Sequence, residues 1–467
     1  MAKQALLDAD RRHLIHPVVS YRAHEQRGAT LLESGHGAYL RDVDGNELLD
    51  AFAGLWCVNV GYGQQSVVAA ATEQMTKLPY ATGYFHFGSA PAAQLAEKLV
   101  SIAPRSLQHV YFSLGGSDAV DAALRFITHY YNVTGRAQKK HFISLERGYH
   151  GASSVGAGLT ALASFHRGFD VPLPTQHYLP SPYAYRDPLG RDGQALIDAS
   201  VAALEAKVAA LGGSDYVAAF FCEPVQGSGG VIVPPKGWLR AMRDACKRLD
   251  ILFVADEVIT GFGRTGPMFA CEIEQVEPDM MTVAKGLTSG YAPMGAVLMS
   301  DAIYQAIAEG EHGAVVGHGQ TYSAHPVSAA VALEVIRLYE GGLLANAQAV
   351  APVFGAGLDS LLDHPLVGDS RHLGLLGAVE LVADKATKAR FDPAVKLSDK
   401  IASAAYRHGV IFRAFADNIL GFAPALCFTA QDVSLMVDRV RATLDEVLQD
   451  DAVKAAVSAA REARKAA

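Results

Sequence analysis

ILFVADEVITGFGRTG, residues 251–266, is followed 285 − 256 = 29 positions after its Asp256 by Lys285, in AKGLTSG. Ile251–Ala255 is an unbroken apolar run that ends in an acid. That pattern predicts a parallel strand buried on both faces, with its carboxylate at the carboxyl end. A second apolar segment, MMTVAK, ends in the lysine. Open α/β sheets take their ligands at those ends. Buried charges of opposite sign at one sheet edge need a group between them. A pyridoxal phosphate ring meets both, because its aldehyde carbon takes a lysine as a Schiff base and its protonated ring nitrogen needs a carboxylate.

The segments on either side alternate. HVYFSL precedes the helical pattern DAVDAALRFITHYY, HFISLE precedes a Gly-rich stretch, and YVAAFFCE precedes a helix around Gly237–Leu249. ILFVAD, MMTVAK and MGAVLMS follow. This order predicts an α/β fold with a mostly parallel sheet and helices on both faces. Near the start, YLRDVDGNELLDAF carries the Asp-Gly of a hairpin. From about Pro326 a long helix, VSAAVALEVIRLY, leads into LGLLGAVELV and GVIFRAF, short strands of an α+β unit. The expected organisation is a small α+β domain made from both chain ends, residues 1–60 and 326–467, beside a large domain of residues 61–325. DDAVKAAVSAAREARKAA reads as a surface helix.

Composition excludes some functions. Half of the 467 residues are hydrophobic, 19% are charged and the net charge is −8. No basic block tracks a phosphate backbone, so nucleic acid is not an expected partner. The five cysteines, Cys57, Cys222, Cys246, Cys271 and Cys427, form no CxxC pair and no metal-ligand spacing, so reduced thiols and no metal are expected. The N-terminus lacks the apolar run of a signal peptide, and GYHGASSVGAGLTALASFH is too rich in Gly and Ser to span a membrane. A cytoplasmic protein is expected.

Each candidate residue has a plainer reading. Asp256 could be a turn-capping acid, or the metal-holding acid of a nucleotide hydrolase, but no GxxxxGK[ST] loop is present. GFGRTG, Gly261–Gly266, matches a dinucleotide fingerprint, yet Pro267 and MFACEIE follow where a helix should open. Lysines are mostly solvated, but Lys285 follows an apolar run and is flanked by Gly286, Ser289 and Gly290, which let backbone approach a ligand closely. Gly115, Gly116 and Ser117 in LGGSDAV lie between a strand and a helix start, where unpaired N–H groups bind anions or a serine simply caps the helix. Asp118 and Asp121 would repel a phosphate there. In RGYHG, Tyr149 could stack on a flat ring or fill the core.

DEVITGFGRTG, AKGLTSGYAPMGAV, FFCEPVQGSGGV, GGSDAV, RGYHG, QTYSAHPVSAAVALE and DAFAGLWCVNVGYG together resemble the class III pyridoxal-phosphate aminotransferases. The subgroup they look most like is the ω-aminotransferases that use pyruvate, of the putrescine–pyruvate and β-alanine–pyruvate type. The resemblance implies the fold type I architecture of pyridoxal-phosphate-dependent transferases and a homodimer, or paired dimers, with active sites at the interface. It implies that Lys285 holds the cofactor and shuttles the proton, and that Asp256 pairs with the pyridinium. Val258 and Tyr149 would cover the two ring faces. Gly116 and Ser117 would hold the phosphate, with Thr321 reaching in from the second subunit. Glu223 would stand beside Asp256, Trp56 would line the substrate pocket, and Arg413 would pair with the keto-acid carboxylate and swing away for a plain amine.

The chain departs from its relatives at several places. Ile259 stands where many have Gln after DEV, and Ser228 where glutamate-using relatives carry an acid. Gly115-Gly116-Ser117-Asp118 replaces SGSEA, which removes one hydroxyl donor from the phosphate loop. Gln320 replaces an aromatic residue, and Tyr84 and Phe85 lie in a stretch that differs from the aromatic-rich form. The first two changes suit amine–pyruvate transamination. Other reactions on the same scaffold are an aminomutase, a decarboxylase or a racemase; a non-catalytic cofactor-binding module and an NAD-dependent oxidoreductase are the remaining readings.

Overall fold

In the computed structural model, residues 3–310 and 315–466 are described. Seven strands form the central sheet, in the order Leu107–Ser113, Gly295–Ser300, Met280–Val283, Leu252–Asp256, Val217–Cys222, His141–Leu145 and Gln176–Leu179. Gly295–Ser300 runs antiparallel to both neighbours, and the remaining pairs are parallel. Val217–Cys222 and Met280–Val283 are buried throughout, and Leu252–Asp256 is buried from Phe253 on. Near-continuous apolar runs suit strands covered on both faces. The helix Gly116–Val133 packs Ala119, Ala123 and Ile127 into one face, among Phe221, Val254 and Met280. Trp238–Arg248, opened by Gly237 at φ +94°, buries Trp238, Met242 and Cys246 among Phe220, Phe253 and Met281.

Two smaller sheets flank this one. Leu32–His36, Tyr39–Asp42 and Glu47–Asp50 form antiparallel pairs, and Val410–Ile411 adds a parallel fourth strand. The expected hairpin turns at Asp44 and Gly45, where Asp42 Oδ1 accepts the amides of Asp44 and Asn46, both at 2.9 Å. The other sheet is ordered Val367–Leu373, Leu376–Leu381, Ile419–Phe422 and Arg413–Ala414. The terminal helix Asp451–Ala466 buries Val453 and Val457 and ties Arg464 to Asp384 at 3.1 Å. All five cysteines are free. Among the described residues no helix is long and apolar enough to cross a membrane.

GFGRTG corrects the dinucleotide alternative. Residues 258–265 are successive turns and no α-helix follows. Glu257 organises the loop from beneath, accepting from Thr260 Oγ1 at 2.5 Å and from the amides of Ala270 and Cys271 at 3.0 and 2.8 Å. Arg264 is fully buried and donates to Asn59 Oδ1 at 2.7 Å and to the carbonyls of Leu375 and Pro424. The loop is therefore a structural hub that fastens the GLWCVNVGYG segment and the C-terminal strands to the central sheet. Gly286 serves the same packing. A Cβ there would meet Asn59 Nδ2 at 2.7 Å and Phe262 Cβ at 2.9 Å, so its small size admits protein neighbours.

Candidate active site

Asp256 closes its strand with 3% exposure. Its Oδ2 accepts from His150 Nδ1 at 2.8 Å, and its Oδ1 accepts from Thr282 Oγ1 at 3.0 Å and from the Val258 amide at 3.2 Å. Burial disfavours a charged imidazole, but the hydrogen bond and charge of Asp256 outweigh it and raise the His150 pKa. The two form a buried hydrogen-bonded pair whose geometry favours a proton on His150.

Lys285 lies two residues beyond Met280–Val283, half-buried, with φ at +40°. Burial lowers its amine pKa against the pull of Asp256, Glu223 and Cys57. A lowered pKa makes the amine a better candidate for nucleophile and base than a solvated lysine.

Gly116 joins these two elements to a helix end. A Cβ on it would lie 3.0 Å from Val258 Cγ1 and 3.7 Å from Ala284 Cβ, so the first turn of Gly116–Val133 abuts the residue two past Asp256 and the residue before Lys285. Ser117 Oγ accepts the Ala152 amide at 3.1 Å, tying the turn to the loop that carries His150. Asp121, expected to repel a phosphate, is engaged instead with the Gly156 amide at 2.7 Å. The donor set fits pyridoxal phosphate. A helix N-terminus can take the phosphate, a buried carboxylate the protonated nitrogen and a half-buried amine the aldehyde.

Tyr149 and Glu223 share this neighbourhood. Glu223 accepts the amides of Tyr149 and Gly227, both at 2.9 Å, and Tyr149 meets Phe165 edge to face at 5.2 Å. Burial raises the Glu223 carboxyl to about 7, opposed by His150 and reinforced by Asp256. The folded chain then keeps a proton that the unfolded chain releases near pH 4.5. The associated stability is fully present below that pH and is lost as pH rises through about 7. On protein stripped of cofactor, the melting temperature of wild type should therefore fall relative to Glu223→Gln as pH rises from about 4.5 to about 7. A difference that stays flat removes this titration.

The remaining expected residues make their contacts with other groups. Trp56 is buried at φ +60°, stacks edge-on against Phe52 at 4.8 Å and faces Phe415 at 6.3 Å. Ile259 belongs to the same apolar cluster. Arg413 is exposed, with its guanidinium 5.5 Å from the Phe415 ring centre. Thr321 is exposed and accepts through its carbonyl from Tyr80 at 2.9 Å. His150, Thr282 and Asn59 received no role from sequence. Of these, only His150 carried a signal, the glycines that bound its loop.

The class-III aminotransferase family matches residues 21–444. A putrescine–pyruvate aminotransferase of Pseudomonas aeruginosa is 40% identical over 93% of this chain and 95% of its own length. A diaminobutyrate–2-oxoglutarate transaminase of Halomonas elongata is 36% identical over 97% of this chain and 99% of its own. An ω-transaminase of Pseudomonas jessenii, solved in complex with PMP, superposes with a TM-score of 0.92 at 37% identity, covering 95% of this chain and 98% of that one. With a seven-stranded, mostly parallel sheet and a lysine–aspartate pair at its edge, the chain belongs to the class III aminotransferases. It is a transaminase that works with pyridoxal phosphate on the fold of those enzymes.

Proposed function

We propose that this enzyme moves an amino group from a primary amine or ω-amino acid to pyruvate, releasing an aldehyde or ketone and alanine. The observation that carries the reading is the setting of Ile259. It packs so closely on the loop after Glu223 that a Cβ on Gly227 would lie 2.5 Å from its Cδ1, and it joins Trp56 and Phe415 in one apolar cluster. With Ser228 next in the loop, this wall offers no carboxylate to a glutamate-handling arginine. The putrescine–pyruvate relative supports the same reading. The diaminobutyrate–2-oxoglutarate relative favours a second one, with 2-oxoglutarate as acceptor. A panel of amines offered with each keto acid decides between them: alanine formation supports pyruvate, and glutamate formation at equal or greater rate overturns it.

The cofactor supplies an electron sink for the pair left on the substrate carbon when its proton departs. Lys285 would hold the cofactor and, once freed, its amine would move the proton from the substrate carbon to the cofactor carbon. Asp256, oriented by His150 and Thr282, would pair with the protonated ring nitrogen. The amides of Gly116 and Ser117 would receive the phosphate, and Val258 and Tyr149 would cover the ring. Glu223 fixes Tyr149 and the Gly227 loop to one another. Trp56 lines the pocket.

Thr321 completes the phosphate site from a second copy. Tyr84 lies against Gly319, where a Cβ would meet its hydroxyl at 2.6 Å, and Phe85, Phe87 and Tyr322 are exposed around it. An exposed aromatic surface of this kind suits an interface. The assembly read here is a cytoplasmic homodimer, and light scattering separates it from a tetramer. Arg413 binds the pyruvate carboxylate. Arg413→Ala should slow the pyruvate half-reaction by about 10–100-fold, from the ~1.5–3 kcal/mol of a charged hydrogen bond. Single-turnover rates check this, and an equal loss in the amine half-reaction overturns the role.

A further inference from the structure

Asp10 sits in the last turn of Lys3–His13, and His16 and His24 lie beyond it, His24 on the helix Tyr21–Arg27. Nε2 of His16 donates to Asp10 Oδ2 at 2.8 Å, and Nε2 of His24 donates to Oδ1 at 2.9 Å. The two imidazoles lie 4.3 Å apart and tilted by 38°. Among the described residues this is the one group of three or more His, Cys, Asp or Glu side chains whose ligand atoms lie within 4.8 Å of one another. None belongs to the transamination machinery.

We propose that Asp10, His16 and His24 form a binding site for a divalent transition-metal ion, zinc first, that staples the N-terminal segment. Two neutral imidazoles and one carboxylate are the donor set of zinc sites that keep one open position. Bonds of about 2.0–2.1 Å place tetrahedral ligands about 3.3 Å apart, so the ion enters after an outward shift of about half an ångström. The Asp10 side chain is 9% exposed, His24 14% and His16 29%, which leaves an entry path on the His16 side. The carbonyls at the C-terminal end of Lys3–His13 add negative potential beside Asp10. Arg11, the adjacent cation, turns to Gly28, where a Cβ would meet its Nη2 at 2.7 Å.

Binding would fix a segment that exposes its apolar side chains. Leu14, Ile15, Val18 and Tyr21 are 58–75% exposed between or beside the ligands. The expectation of no metal rests on the cysteines; these three residues are spaced six and eight apart and two of them are histidines.

The test titrates zinc ion into cofactor-loaded enzyme against a chromophoric chelator. Wild type should hold one zinc per chain that His24→Ala and His16→Ala bind at least about tenfold more weakly, the least loss that follows even from removing an outer partner of a ligand. His24→Gln keeps a donor for Asp10 but offers an amide in place of imidazole. It should fold, retain transamination and still lose the zinc. Zinc should also slow proteolysis between Leu14 and Ser20 in wild type alone. Equal zinc stoichiometry and affinity in wild type and all three variants would show a hydrogen-bonded trio only and overturn the proposal.

Discussion

Lys285→Ala should lose turnover by at least about 10⁴-fold, the upper end of what a positioned general base contributes. The visible absorbance of lysine-linked cofactor disappears with it. Both losses follow from one amine. It stands two residues past a buried strand, beside a helix end that abuts Ala284. Burial lowers its pKa, which favours the unprotonated form that accepts the substrate's proton. The variant should still bind pyridoxal phosphate, because the helix end and Asp256 are untouched, and cofactor retention on gel filtration checks that the site has folded. Retained turnover would refute the lysine assignment. Loss of turnover alone does not separate a transaminase from a mutase, decarboxylase or racemase, since all need the same amine. Alanine accumulation in wild type does that separately.

Legibility in the sequence followed burial. Val217–Cys222, Leu252–Asp256 and Met280–Val283 could be read because strands covered on both faces need unbroken apolar runs. Gln176–Leu179 escaped notice. It is an edge strand with one neighbour, and QHYL carries two polar residues and no run. The pairing of Val410–Ile411 with Glu47–Asp50 has no local signal, because a two-residue strand gains its partner only through the packing of distant segments. Arg264 shows the same limit in a side chain. Arginine is almost never fully buried without a partner, and its partners here are a side chain 205 residues away and two carbonyls farther on.

The site divides similarly. Asp256, Lys285, Gly116 and Ser117 stood out because their chemistry sits at strand and helix ends, where backbone geometry already limits what a residue can face. His150 did not, because a loop histidine acquires meaning only from the carboxylate 106 residues away that it meets. Its pairing changes the account of Asp256. The acid is hydrogen-bonded to a buried imidazole before any cofactor arrives.

That pairing sets the second large effect. Asp256→Asn should lower kcat by about 10²- to 10⁴-fold, since leaving a buried charge without its partner costs about 3–5 kcal/mol and each 1.36 kcal/mol is a factor of ten. Asparagine keeps the shape, so Thr282 and the Val258 amide retain an acceptor while the negative charge is gone. His150 then has no anion to hold it protonated, and the ring nitrogen has none either. Because the ring nitrogen serves both halves of the reaction, single-turnover rates for the amine and for pyruvate should fall by the same factor, with the KM of each substrate little changed. This separates Asp256 from Arg413, whose loss should weigh on the pyruvate half alone. A variant slowed in only one half would place Asp256 against a substrate group instead of the cofactor. A variant slowed in neither would leave the His150–Asp256 pair with a structural role, and a fall in melting temperature without a fall in rate would be its signature.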